Sequence, residues 1–169
     1  GPSANAALGA TFAEVITITD DETAPQINFA NATDTVVANV AAGYKVLTVN
    51  VAAAVATPIT ITYALTDGGG ANGTAESDGT TTPAYNNDYN ETGGTLTIAA
   101  LATSSSITIP IYNDGVYEGS EDFKVTLSGP SANATLGATD EDVVTITDDE
   151  AKPTLNWASA TDLVVENVA

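Results

Sequence analysis

Apolar and polar residues alternate along most of the chain. In "PITITYAL", Ile59, Ile61, Tyr63 and Leu65 share one face of an extended backbone, and threonines fill the other. "SITIPIY" repeats the pattern with Ile107, Ile109 and Ile111, and "DFKVTL" with Phe123, Val125 and Leu127. A period of two with threonine on the outer face predicts half-buried antiparallel strands. No stretch of useful length carries a helical period. The predicted strands cover 26–30 with 35–38, 44–52, 58–66, 94–99, 106–112, 122–128 and 142–148. Turn-forming clusters separate them, among them "DGGGANG", "LATSSS", "NDGVYEG" and "SGPSANATLG". Seven short strands at this spacing predict an all-β fold, a seven-stranded antiparallel Greek-key β-sandwich of immunoglobulin-like type. Pro110 lacks an amide donor, so it should sit at a bulge or face outward. The break at "NATD" suggests that the first strand bulges or changes sheets there.

The chain also repeats itself. "GPSANAALGAT" at Gly1 returns as "GPSANATLGAT" at Gly129, and "TITDDE" at Thr17 returns at Thr145. Residues 1–41 align without a gap with 129–169, and 28 of the 41 pairs are identical. A 128-residue period is long enough for a domain with its own core. The expected organisation is tandem: 1–24 as the last strand of a preceding repeat, 25–152 as a complete repeat, and 153–169 as the first strand of the following one. Alone, each terminal piece exposes an apolar stripe and unpaired backbone groups. The ends are therefore expected to pair with neighbouring repeats or identical chains, in a continuous array, fibre or filament.

Charge narrows the function. The chain holds 22 acidic residues and three lysines, with no arginine or histidine, for a net charge of −19. Nucleic-acid binding needs a basic stripe, and docking on anionic lipid needs the same sign. No apolar run is long enough to cross a membrane as a helix, so no membrane insertion is expected. With no His, Cys or Arg, nucleophilic and phosphoryl-transfer chemistry lack their usual groups, and no acid is singled out for glycoside hydrolysis. The expectation is a protein that is not an enzyme. The absence of cysteine fits a reducing compartment, and equally a bacterial surface protein stiffened by something other than disulfides.

The acids are not spread evenly. In a Greek-key sandwich the first, third and fifth inter-strand segments share a pole with the end of the seventh strand. Those segments carry Asp67, Glu76, Asp78, Asp88, Glu91, Asp114, Glu118 and Glu121, and the strand end adds Asp148, Asp149 and Glu150. The other pole has only Asp140, Glu141 and Asp142. Two carboxylates ~5 Å apart repel by roughly 3 kcal/mol at an effective dielectric near 20, so such a pole calls for a cation. Ca²⁺ takes six to eight oxygens and accepts them from irregular loops. Zinc would want His or Cys. No segment matches the twelve-residue EF-hand loop, so the site would be assembled from separate loops. "GGGANG" lacks the lysine and helix of a phosphate loop and reads as a turn. The N-x-Thr matches at Asn31, Asn72, Asn90 and Asn133 are expected by chance in so Asn- and Thr-rich a chain. Tyr89 and Tyr117, beside the acidic loops, are expected to buttress them.

The run "DYNETGGTLTI", then "ITIPIYNDGVYEGSEDFKVTLSGPSANATLG", then "VVTITDDE" resembles a Calx-beta domain over nearly all of 26–150. The resemblance implies a seven-stranded sandwich that binds Ca²⁺ at the acidic pole. Position by position, it implies Asp88, Asp114, Glu118, Glu121, Asp148, Asp149 and Glu150 as ligands. Two positions depart from the pattern. The family often has Glu near the end of its first strand, where this repeat has Ala38 and the next copy keeps Glu166. The acidic pair closing the fifth strand is Asn113–Asp114 here, which removes one charge.

Calx-beta domains serve as calcium sensors of sodium/calcium exchangers and as tandem repeats of large extracellular proteins. The near-identity of successive copies and the short "AKP" joint favour the second use: a structural spacer repeat of an extracellular or cell-surface adhesin, stalk or filament, with calcium stiffening the joints between repeats. The alternative is a calcium-sensing regulatory or ligand-binding module. A carbohydrate-binding face would want exposed aromatics, and the chain has only ten aromatic residues in all.

Overall fold

The computed structural model describes residues 3–11, 13–19, 21–77, 87–159 and 161. Ten strands lie among them: β1 (Gln26–Phe29), β2 (Thr33–Val37), β3 (Tyr44–Val51), β4 (Ile59–Asp67), β5 (Gly73–Thr74), β6 (Gly94–Ile98), β7 (Ser104–Pro110), β8 (Glu121–Ser128), β9 (Thr135–Leu136) and β10 (Glu141–Thr147). One sheet has the order β7-β3-β1-β9. The other runs β2-β10-β8-β4-β6, with β5 added beside β8. Each predicted strand is present within two residues of its expected bounds. Alternation puts Ile27, Leu47, Val49 and Ile107 on the inner face of the first sheet and Ile61, Ile98, Val125 and Val144 on that of the second. All are buried. Each such side chain contributes roughly 1.5–3 kcal/mol when withdrawn from water.

The first predicted strand does change sheets. β1 pairs with β3 (Ile27 opposite Val51), and β2 crosses to pair with β10 (Thr33 opposite Val143). β2 and β10 both run toward the acidic pole, so this ladder is parallel, a departure from a wholly antiparallel sandwich. The other unforeseen elements are β5 and β9, two residues each, which lie parallel to β8 and β1. Two residues show no period, so their strand character comes from their neighbours. Pro110 ends the edge strand β7. The next residue, Ile111, donates its N–H inward to the Gly43 carbonyl at 3.1 Å, so the ring nitrogen of Pro110 faces away from β3.

The described parts of 3–24 and 151–161 form no ladder. Val15 and Ile18 are about nine-tenths exposed, and Leu155 and Trp157 nearly or fully so. Most of the strand expected over 153–169 lies outside the described residues, as does Asp78.

Candidate metal centre

The loops after β2 and β7 and the end of β10 converge at one end of the sandwich, and the segment 87–90 joins them. A chain of contacts holds this segment in place. Tyr89 is fully buried, its ring stacked on Phe123 with centroids 4.1 Å apart, and its hydroxyl donates to Asp67 at 2.6 Å. Tyr112 donates its N–H to the Asp88 carbonyl, and Asn90 donates to that of Pro110. Tyr89 thus buttresses the acidic loop from inside, as expected. Tyr117 is 39% exposed. With its backbone fixed on both sides, Asp88 accepts the Glu76 N–H at 2.7 Å and turns toward the pole.

The β7–β8 loop is shaped by its own acids. Asp114 accepts the Val116 N–H at 2.8 Å, closing a tight Asx turn. Gly119 has φ +90, which glycine tolerates best. Its N–H and that of Glu118 both meet one oxygen of Asp148, at 2.8 and 2.7 Å, while the other oxygen accepts from Glu150 N–H at 2.9 Å. Those backbone donors, Gly119 first, hold the Asp148 carboxyl down to about 2. Asp148 is therefore a fixed negative charge that ties the β7–β8 loop to the end of β10.

Between these elements lies a cavity of about 20 Å³, lined by Ala38, Asn87, Asp88, Asp114, Glu118, Glu121, Asp148 and Glu150, among others. That volume holds a single water or ion. Carboxylate oxygens of Asp88, Glu118 and Glu121 lie within 4.8 Å of one another. Burial, followed by the charges of Asp88, Asp114 and Asp148, pushes Glu118 up to about 7. Burial and then Asp88 push Glu121 up to about 8. Asp88 is itself raised, mainly by burial. Glu150 is raised by its contact with Asp148. Carboxyls that hold protons this far above their ordinary range mark negative charge without a counter-charge. The donors are all oxygen and come from three separate elements. That set suits a hard cation such as Ca²⁺ and gives zinc no nitrogen or sulfur ligand.

Of the seven residues singled out in the sequence, six line this cavity: Asp88, Asp114, Glu118, Glu121, Asp148 and Glu150. Asp149 does not. It accepts from the Asn39 side chain at 2.5 Å, on the flank of the pole. Strand alternation accounts for this, because neighbours at a strand end point to opposite sides. Glu76 was not among the seven, yet its charge raises Asp88, Glu118 and Glu121. The only sequence signal for it was its place among the acids of that pole. Ala38 also lines the cavity, at the position where the other copy carries Glu166.

Two other acids play structural parts. Asp122, next to Glu121, is 1% exposed and accepts from Asn72 (2.8 and 3.0 Å) and from the Thr145 hydroxyl (2.7 Å). Burial works against its charge, but these hydrogen bonds outweigh it and hold the carboxyl below its usual value. Asp142, expected among the acids of the far pole, is buried inside the sandwich at the start of β10.

The Calx-beta domain family matches residues 20–150. Among solved structures, the apo Calx CBD1 domain superposes with a TM-score of 0.60 at 22% identity, over 76% of this chain and all of that one. The Calx CBD2 domain gives 0.57 at 15% identity, over 73% of this chain and 86% of the other. A two-domain fragment, CBD12 of CALX1.2, gives 0.59 at 23% identity, over 73% of this chain and 44% of that one. The chain thus spans less than half of that two-domain structure. No curated protein matches. The family model spans 131 of the 169 residues, and the solved domains share the fold: the chain belongs to the Calx-beta domain family.

Proposed function

We propose that the domain binds calcium at the acidic pole and that bound calcium stiffens the joint to the next repeat. The observation that carries this reading is the set of carboxylate oxygens of Asp88, Glu118 and Glu121 gathered within 4.8 Å around an ion-sized cavity. Asp114, Asp148 and Glu150 line the same cavity. Asp148 positions the loop, and Glu118 and Glu121 release protons as the ion enters. The solved relatives include a fragment described as the calcium binding domain CBD12 of CALX1.1. Ca²⁺ would supply only charge neutralisation and cross-linking here.

The setting is a spacer repeat of an extracellular or cell-surface adhesin, stalk or filament. The 128-residue repeat supports it, and so does the closeness of the cavity-lining Glu150 to the next copy's first predicted strand. Exposed Val15, Ile18, Leu155 and Trp157 fit burial against neighbouring copies. Millimolar extracellular calcium would saturate a site of micromolar affinity. At a hundred times its dissociation constant the ion adds about 2.7 kcal/mol to the folded state.

The test is a protein of two or more repeats, melted and measured by small-angle scattering with calcium and with excess chelator. A higher melting temperature and a longer, straighter particle with calcium are expected. Equal melts and profiles, with magnesium acting like calcium, would refute the reading. A higher melting temperature without elongation would leave a calcium-binding module that does not stiffen an array, as a sensor would behave.

A further inference from the structure

Away from the acidic pole, where β2 crosses between the sheets, three charged side chains meet. Asp34 on β2 accepts from Lys45 Nζ at 2.6 Å and from the Asn31 side chain at 3.2 Å. Lys45, on β3 of the opposite sheet, also donates to the Thr35 carbonyl at 3.1 Å. Asp142 on β10 faces the same group. It is 1% exposed, its carboxyl lies within hydrogen-bonding reach of Asp34, and its Oδ1 is buried without a partner. The charged groups facing Asp142 are Asp34 on β2 and Lys45 on β3. On β8 the inner-face acid Glu121 lies opposite Ile146, four residues along β10 from Asp142, and Lys124 pairs with Glu141 on the outer face.

Two ionised carboxylates and one ammonium would leave a net negative charge on a group in which Asp142 is buried and Asp34 and Lys45 are only partly exposed. An ionised Asp142 would also strand a charged oxygen with no donor, which is costly. A neutral Asp142 removes both problems. Its O–H donates to Asp34, which Lys45 keeps ionised, and only an uncharged carbonyl oxygen is left unpaired. A metal ion is disfavoured because the ammonium already fills the cation's place.

We propose that Asp142 and Asp34 share one proton in a latch that holds β2 against β10, and that loss of this proton loosens the sheet-changing strand. Burial, and then the Asp34 charge, raise Asp142 to about 7, so the latch releases near neutral pH. The strand that it holds ends at the cavity: Ala38 lines the cavity and donates its N–H to the Thr147 carbonyl at 2.9 Å. The preceding copy keeps an acid, Glu14, at the Asp142 position, and the following copy keeps Asp162 at that of Asp34.

The experiment is a carbon-13 NMR titration of the aspartate and glutamate carboxyls in the calcium-loaded protein. It is combined with amide hydrogen exchange of β2 and β10, corrected for intrinsic rates. The Asp142 carboxyl should titrate near 7. Opening of β2 should rise about tenfold between pH 6 and pH 8, because the open strand binds this proton at the ordinary aspartate value. D142N should abolish that rise while Val143 and Thr147 remain protected. If D142N fails to fold, the wild-type titration decides alone. An Asp142 carboxyl already ionised at pH 5, or β2 opening that does not change from pH 6 to 8, would overturn the proposal. Because the carboxyl signal is site-specific, failure of calcium to bind would be seen separately, in Glu118 and Glu121.

Discussion

Glu121→Gln should move the stability of the free and the calcium-loaded domain in opposite directions. In the folded protein without metal, Glu121 lies within 4.8 Å of Asp88 and Glu118. One such pair of charges repels by about 3.5 kcal/mol at an effective dielectric of 20. The groups are half-buried, and salt and side-chain motion reduce the effect to about 1 kcal/mol. At pH 8 the amide removes that repulsion and keeps the shape, so the free domain should melt about 4 °C higher. At pH 5 Glu121 is already protonated, because it titrates at about 8, and the gain should vanish. With calcium the sign reverses, because a charged ligand is gone. Affinity should fall roughly tenfold or more, or at least 1.4 kcal/mol. Calorimetric melts of wild type and variant at both pH values, with chelator and with calcium, read all four quantities. A variant that lowers the free-domain melt at pH 8, or binds calcium as tightly as wild type, would refute the reasoning.

Ala38→Glu adds the carboxylate that the other copy holds as Glu166, and Ala38 lines the cavity. Titration calorimetry should show calcium binding about tenfold tighter, with the free domain about 1 kcal/mol less stable. Stability of the metal-free domain should fall as pH rises from 5 to 8. The folded state holds the protons of Glu118 and Glu121 up to about 7 and 8, while the unfolded chain releases them near 4.5. Over the same window calcium affinity should rise and proton release on binding should be measurable; urea melts and titrations in buffers of different ionisation heat check both. Gly70→Ala should cost roughly 2–4 kcal/mol by urea unfolding, because its Cβ would sit 1.8 Å from Asp122 Oδ2 and displace a buried charge from its donors.

Alternation made the main strands legible, because a half-buried strand must place one face inward along its whole length. It also made the acidic pole legible, since strand direction decides which loops meet. It fails where the period stops. β5 and β9 are two residues long and exist because β8 and β1 offer a free edge. The adjacent acids Glu121 and Asp122 look alike in the sequence. Glu121 shares the inner face with Phe123 and Val125, so at the strand's end it turns into the cavity, while Asp122 faces the other way and is covered by Asn72. For Asp142 the signal was present. It stands two and four residues before Val144 and Ile146, both buried, so strand phase alone places it inside. Its place among the acids of the far pole does not by itself say which face it takes; the phase does.

The cavity lies where apolar packing runs out. Toward the pole the inner face of β8 passes from Val125 and Phe123 to Glu121, and that of β10 from Val144 and Ile146 to Asp148. The same periodicity that fills the core therefore delivers carboxylates to its open end. Hydrophobic burial holds the two sheets together with or without an ion. The β7–β8 loop and the end of β10 are joined instead by the Asp148 oxygens and the backbone N–H groups that they accept. A cation seated among Asp88, Glu118 and Glu121 would thus act on the pole and leave the core as it is. Glu150 lines the cavity only a few residues before the next copy's predicted first strand, so under the proposed function it is the joint, more than the fold, whose stiffness a bound ion would govern.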